Sequence, residues 1–396
     1  MTIVVTDITL SIVRLDLVHE FETSSHRKSA LEHIVIAVRS SDGAIGWGEC
    51  ASPSDPYYAG ETTETCWLML RDYLGRHLLG QSWEHPDHVA ALLARVAGNN
   101  FARAGLEMAC WDLFARVQGQ PLAQVLGGSA PTIEAGVSLG IEHTIDDLLQ
   151  QVAHHVADGY RRVKLKIRHG WDLEPTRAVR TAFPDLALQV DANTAYGRED
   201  IDHLRGFDDL GLLMIEHPFD EDDLLTHAEL RRRIATPVCL DESITSPAVL
   251  RTALQLGATS IVNVKVSRLG GLGAAREVHD DCRANDIPVW CGGMHEFGIG
   301  RAANLAIASL PGFVLPSDVS GSDKYYALDI VAPPIRAVDG LVAVPWNSPG
   351  IGHEVDMEIV ELFTRRTERL FLADGAPVRG RTARRPPRTP PERRKP

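Results

Sequence analysis

The chain has 396 residues, a formal net charge of −13, 44% apolar and 23% charged residues. This is the profile of an ordinary soluble protein with room for two domains, or for one large domain and a smaller partner. No run approaches the roughly 20 apolar residues of a membrane helix, so no membrane association is expected, and the acidic balance argues against nucleic-acid binding as the main function. The opening "MTIVVTDITL" lacks the basic and apolar pattern of a secretory signal. Cysteines 50, 66, 110, 239, 282 and 291 form no CxxC pair and read as reduced thiols of a cytoplasmic protein.

In chain order, "HIVIAVRSSDGAIGWGEC" (33–50) predicts a hairpin turning at Ser41-Asp42-Gly43. Helical periodicity dominates from about 61 to 127, and Leu106, Ala109, Cys110, Leu113, Phe114 and Val117 fall on one stripe. Residues 1–130 thus read as a small α+β domain. Over 131–325 the character changes to eight β-rich runs separated by helical stretches: "IEAGVSLG", "RRVKLKI", "LALQVDAN", "LLMIEHP", "PVCLDES", "SIVNVKV", "IPVWCGG" and "GFVLPSD". Eight βα units are the number that closes a (β/α)8 barrel. The strand-like, turn-rich stretch 326–373 is expected to return to the N-terminal domain. Residues 374–396, net +6 with six prolines, read as a disordered Arg/Pro-rich tail.

Within the second run, "VKLKI" (163–167), side chains alternate between the two faces of a strand. Val163, Leu165 and Ile167 then pack under helices, while Lys164 and Lys166 point inward, where an ammonium group is costly without a purpose. Lys166, Asp191, Glu216, Asp241 and Lys265 follow one another at intervals of 25, 25, 25 and 24 residues. Each stands near the end of its apolar run, so five consecutive units place an ionisable group at the C-terminal rim, where barrel active sites are built.

Three carboxylates gathered there would repel one another and raise their pKa values. A divalent cation resolves the conflict, and oxygen-only ligands favour Mg²⁺ or Mn²⁺. Structural ion pairs with barrel lysines are the alternative use of the same residues. Lys166 and Lys265 flank the carboxylates from opposite sides and could act as bases. That requires lowering their pKa from ~10.4 towards about 7–8, with Lys164 as the neighbouring charge for Lys166 and Arg268 for Lys265. The implied chemistry is removal of a proton next to a substrate carboxylate. Two opposed bases suit a racemase; one lysine serving as base and then acid suits a β-elimination.

The ordered pattern "KLK", "DAN", "IEHP", "DES" and "NVKVSRLGG", with "GWGE", "WDL", "LGG" and "PGIGHEVD" outside it, resembles the enolase superfamily in its muconate-lactonising-enzyme subgroup, over about 370 residues. The resemblance implies a capping domain over a modified TIM barrel, Mg²⁺ on Asp191, Glu216 and Asp241, and Lys166 and Lys265 as the acid/base pair with Lys164 beside them. It also implies a small-molecule carboxylate substrate and a homo-oligomer. The segment 291–313 is similar to the branch of N-acylamino acid racemases and o-succinylbenzoate synthases, matching at Gly292, Gly293, Met294, Glu296, Gly298, Gly300 and Arg301. It departs at His295 and Phe297, which raises the expectation of an altered distal pocket if Phe297 lines it.

The resemblance therefore implies racemisation of N-acyl, in particular N-succinyl, amino acids. o-Succinylbenzoate synthesis is the alternative, and a muconate-type cycloisomerase fits the "GGM" segment less well. Asn193 and Glu242 are expected to orient the ligands, and Gly292 and Gly293 to admit a substrate carboxylate to the backbone. Phe21 and Tyr57 are expected on lid loops at 19–29 and 51–61.

Overall fold

Alternation along one strand explains how the chain divides its two cores. In the computed structural model, β1 (Ile3–Glu22), β2 (Arg27–Ser40) and β3 (Ile45–Cys50) form an antiparallel sheet. Ile34, Ile36 and Val38 of β2 face one way and join Ile8, Leu10 and Ile12 of β1 in a core with Trp67, Leu70 and Leu74. Leu31 and Val35 face the other way and enter a second core shared with the barrel. The structure describes residues 2–22 and 27–372, with 20–22 and 27 described through their backbone alone. The tail 374–396 lies outside the described residues.

The 33–50 hairpin forms as expected, pairing Ala37 with Trp47. Its two glycines have a steric reason. A Cβ on Gly46 would lie 2.2 Å from the Ala109 carbonyl oxygen, and one on Gly48 would lie 2.1 Å from that of Gly105. Both contacts are with α1 (Asn100–Val117), which is buried nearly all round. A C-terminal strand, Thr364–Phe371, pairs antiparallel with β1, so the first and last strands of the described residues meet in one sheet.

The second core is a barrel. β4 (Val137–Leu139), β5 (Arg162–Lys166), β6 (Ala187–Asp191), β7 (Ile215–Glu216), β8 (Val238–Leu240), β9 (Ile261–Val264) and β10 (Val289–Cys291) pair in parallel, each with the next in chain order. The eighth run, expected as a strand, is not a regular one. Pro311 and Pro316 remove backbone donors there, and single bridges from Phe313 to Val289 and from Ser317 to Ala135 close the ring. No helix of the described residues is long and apolar enough to cross a membrane.

Three helices that lack a side-chain cap of their own are capped from a distance. Glu61 accepts the N–H groups of Phe101 and Ala102 at the start of α1 (3.0 and 3.2 Å). Glu107 accepts those of Leu272 and Gly273 (2.7 and 3.0 Å) at the start of the barrel helix Leu272–Ala284. Glu49 accepts those of Phe297 and Gly300, both at 2.8 Å, at the start of α2 (Gly298–Ala308). Helix N-termini leave such donors unpaired and carry partial positive charge, so a carboxylate satisfies both. Glu49 and Glu107 bind the N-terminal segment to the barrel by this means.

Removing the Glu49 carboxylate strands two buried N–H groups and the His33 ring nitrogen that sits 2.7 Å from it. The expected outcome for Glu49→Ala is a loss of about 2–3 kcal/mol of unfolding free energy, read from urea denaturation. A midpoint equal to that of the parent protein would contradict the clamp.

Candidate functional site

The period-two rule that sorts the cap sheet also builds the site. All five residues of β5 are buried. Val163 and Leu165 pack outward against the helices, while Arg162, Lys164 and Lys166 share the inner face. In register, Lys166 stands opposite Asp191, and Asp191 opposite Glu216. Asp241 and Lys265 directly follow β8 and β9 at the same end of the ring. Above them lies a cavity of about 450 Å³, walled by the barrel rim and by cap residues that include His33 and Tyr58.

The inner charges interlock. Lys166 Nζ donates to Asp191 Oδ2 at 2.6 Å and to Asn193 Oδ1 at 2.5 Å. Lys164 Nζ lies 2.7 Å from Asp318, 3.3 Å from Glu216 and 3.4 Å from Asp191. Lys265 Nζ donates to Asp241 Oδ2 and to the Tyr58 hydroxyl, both at 2.7 Å. Arg268 reaches Asp241 at 3.4 Å and also donates to the Tyr58 hydroxyl.

Burial alone would lower the pKa of Lys265, but Asp241 and the other anions around it outweigh that and hold it well above the ordinary lysine value. Lys164 is held high likewise: burial opposes, and Asp318, Glu216 and Asp191 prevail. The lowering of Lys265 expected from Arg268 is therefore not found in this charge state, because a carboxylate in contact acts more strongly than a like charge beyond it. Burial pushes the Glu216 carboxyl up to about 8, with Asp191 adding to the rise and Lys164 opposing it.

Among the described residues no three carboxylate, imidazole or thiol groups are gathered as a ready cage for an ion; the oxygens face ammonium groups instead. The donor set nonetheless suits a hard divalent cation. Three carboxylates from successive strands offer oxygen ligands alone. Asp241 Oδ1 is buried without a hydrogen-bond partner, the Arg268 guanidinium standing 3.4 Å from it.

The remaining expected residues divide. Asn193 also donates to Glu242 Oε1 at 2.8 Å, so both sit at the rim between Lys166 and the strand bearing Asp241. Gly292 lies behind the wall, where a Cβ would meet Asn263 Oδ1 at 2.2 Å and Lys265 Cε at 2.8 Å; Gly293, Met294 and His295 line the cavity. Phe297 is fully buried and outside the lining, its ring 4.5 Å from His33 and 5.1 Å from Tyr326. Tyr57 stands at the mouth, 70% exposed, while its neighbour Tyr58 makes the inward contacts. The side chain of Phe21 lies outside the described residues.

Sequence reasoning missed Gln189 and Asn263, which donate to Glu216 at 3.3 and 2.7 Å. Each stands two residues before a marked position on the same inner face, as Lys164 does, so extending the alternation would have found them. It also missed Asp318, whose only signal was its place at the end of the eighth run.

Two family models match the chain: "Mandelate racemase / muconate lactonizing enzyme, N-terminal domain" over residues 7–127 and "Enolase C-terminal domain-like" over 147–359. An o-succinylbenzoate synthase of Geobacillus kaustophilus is 46% identical over 89% of this chain and 94% of that protein. An N-succinylamino acid racemase of an Amycolatopsis species is also 46% identical, over 86% of this chain and 92% of its own. The crystal structure of an enolase-superfamily member from Listeria innocua superposes with a TM-score of 0.91 at 36% identity, covering 93% of this chain and 99% of the other.

Asp318 offers a direct test of the charge network. Burial would raise its pKa, but Lys164 and Arg162 outweigh this and hold the carboxyl well below the usual range. Asp318→Asn leaves both cations short of an anion and is expected to cost about 3–5 kcal/mol. Because the folded-state value is depressed, this contribution is present in full above the ordinary carboxyl pKa of 3.8 and fades only as pH falls below it. Urea titrations of both proteins between pH 3 and 8 would show the gap closing on the acid side alone. A gap that widened with acid would refute the assignment.

Proposed function

The chain belongs to the enolase superfamily, in the branch of o-succinylbenzoate synthases and N-succinylamino acid racemases, and on that premise we propose that it racemises N-acyl amino acids, N-succinyl ones above all. The observation that carries this reading is the placing of Lys166 and Lys265. They belong to the second and sixth units of an eight-unit ring, on opposite sides of one cavity, with their ammonium groups bracketing the carboxylate trio.

In this reading Asp191, Glu216 and Asp241 would hold Mg²⁺ or Mn²⁺. When bound, the cation supplies positive charge that offsets the three carboxylates, loosens their hold on the lysines and stabilises negative charge growing on the substrate's carboxylate. Lys166, as a free amine, takes the α-proton from one face; Lys265, as an ammonium group, returns a proton to the other. The reverse direction exchanges their roles. Asn193 keeps Lys166 aimed across the cavity, and Tyr58 does so for Lys265. Lys164, held cationic by Asp318, adds positive charge beside the developing enolate.

The second reading is o-succinylbenzoate synthesis by the same groups. One lysine removes the proton and then protonates the departing hydroxyl, while the other stays charged. The equal 46% identity to a synthase and to a racemase supports keeping it.

The test is incubation with N-succinyl and N-acetyl amino acids and Mg²⁺ in D2O. Proton NMR follows the α-proton and polarimetry follows the rotation. Racemisation predicts exchange together with decay of rotation. Lys166→Ala and Lys265→Ala should each lower racemisation by at least about 10²–10⁴, while each retains exchange from one enantiomer, opposite for the two variants. Absence of exchange from every N-acyl substrate, with turnover of the cyclohexadiene precursor of o-succinylbenzoate, would replace the first reading with the second. Chelation should abolish either activity and added Mg²⁺ or Mn²⁺ restore it; Asp241→Asn should weaken Mg²⁺ binding in calorimetry.

A further inference from the structure

The three carboxylates of the site stand on three successive units, and the backbone beside them is bent in an uncommon way. Asn193, Thr194 and His217 adopt positive φ angles of 43°, 63° and 42°. Residues with a Cβ rarely take that conformation, a β-branched one least of all, unless the surroundings fix it. His217, in the "IEHP" segment, is fully buried and lies outside the cavity lining, so it is not placed to touch a bound substrate. Its hydrogen bonds nonetheless reach the segments that carry the trio. It follows Glu216 directly in the chain. Its carbonyl accepts the N–H of Thr194, three residues past Asp191, at 2.9 Å. Its N–H donates to the Cys239 carbonyl at 3.0 Å, and its ring Nδ1 accepts the N–H of Asp241 itself at 3.0 Å.

The bonds around the ring also settle which nitrogen carries its proton. A backbone N–H can only donate, so Nδ1 is the bare nitrogen. Nε2 lies 3.4 Å from Ser243 Oγ, and the Ser243 hydroxyl donates its one proton to the Glu221 carbonyl at 2.6 Å. Ser243 Oγ therefore accepts from Nε2–H. Glu242 Oε2, 3.6 Å from Nδ1, is beyond hydrogen-bond range. The His227 ring packs 4.8 Å away and is itself fixed, its Nδ1 donating to the Asp223 carbonyl at 2.8 Å. The His217 imidazole is thus held at both nitrogens and packed against a second anchored ring.

We propose that His217 is a positioning residue for the carboxylate trio: through the Asp241 N–H it sets where Asp241 stands relative to Glu216, and with it the size of ion the trio accepts. This rests on the reading of Asp191, Glu216 and Asp241 as ligands of a divalent cation and goes beyond it to selectivity. Fixing the Asp241 N–H fixes the origin of the side chain that follows it. Mg²⁺ demands near-ideal octahedral geometry, whereas Ca²⁺ accepts larger and irregular shells. A rigid frame favours the smaller ion, and loosening it costs Mg²⁺ more than Ca²⁺.

Calorimetry on protein stripped with a chelator gives Mg²⁺ and Ca²⁺ affinities, and urea midpoints without metal report folding. His217→Leu removes the acceptor and keeps most of the bulk. His217→Asn puts an oxygen where Nδ1 was and tolerates the left-handed backbone. Mg²⁺ affinity should fall about 10–100-fold in His217→Leu and Ca²⁺ affinity several-fold less, while His217→Asn should recover most of the Mg²⁺ loss. Unchanged Mg²⁺ affinity in His217→Leu overturns the proposal. So do equal losses for the two ions, which mark a merely structural role, and a His217→Asn protein no better than His217→Leu. If His217→Leu does not fold, Ser243→Ala, one bond further along the same chain, should lower the preference for Mg²⁺ over Ca²⁺; a parent-like preference there overturns the proposal. A parent protein that binds neither ion overturns the metal reading, and this proposal with it, before any variant is compared.

Discussion

Everything at the rim of this barrel follows from one electrostatic problem: carboxylates from three successive strands are held inside protein, out of water. No fold would keep them there unpaired. Lys164 answers two of them and Asp318 besides, Lys166 answers Asp191, and Lys265 with Arg268 answers Asp241. The pairing is loosest at Asp241 Oδ1, which accepts no hydrogen bond and has Arg268 only at 3.4 Å. A site poised in this way has capacity for more positive charge. It also holds its lysines by contacts that a divalent cation would weaken, so metal binding and lysine reactivity become parts of one equilibrium.

Much of this arrangement was legible because strands and barrels are periodic. Side-chain alternation put both lysines of "VKLKI" inside, and the recurrence near 25 residues placed five ionisable groups at one level. Gln189 and Asn263 escaped although the same alternation marks them; the rest of what escaped lacked a period. Tyr58 and Tyr57 are adjacent on an irregular loop, and only the course of the backbone decides which turns inward. Phe297 sits where a loop enters a helix, and Glu49 draws its N–H group away from the cavity. The eighth run looked like a strand by composition, yet two prolines limit it to isolated bridges. The expected lowering of the Lys265 pKa failed for another reason: that value depends on a 2.7 Å contact with Asp241 that no spacing in the chain encodes.

The N-terminal segment takes part in the site as much as it covers it. β2 divides its residues between two cores, so the sheet is a partition wall with apolar contacts on both sides. The same sheet delivers Glu49 to the helix that follows the Gly292–Met294 loop, and α1 delivers Glu107 to the helix that follows Lys265. The two clamps meet the barrel at the ends of its sixth and seventh units, next to one of the two bases and the glycine-rich wall. Docking of the cap and assembly of the pocket are therefore a single event.

The third of these caps has a different consequence. Cys50 ends a strand, and Glu61 is fixed to the start of α1, so the ten residues between them form a strap fastened at both ends. Its middle carries the tyrosine that meets Lys265, while its fastenings lie in the framework. Substitutions along the strap can reshape what the pocket accepts without disturbing how the two halves of the molecule hold together. Such a design lets a lineage change its substrate in small steps, each leaving a folded and charge-balanced protein.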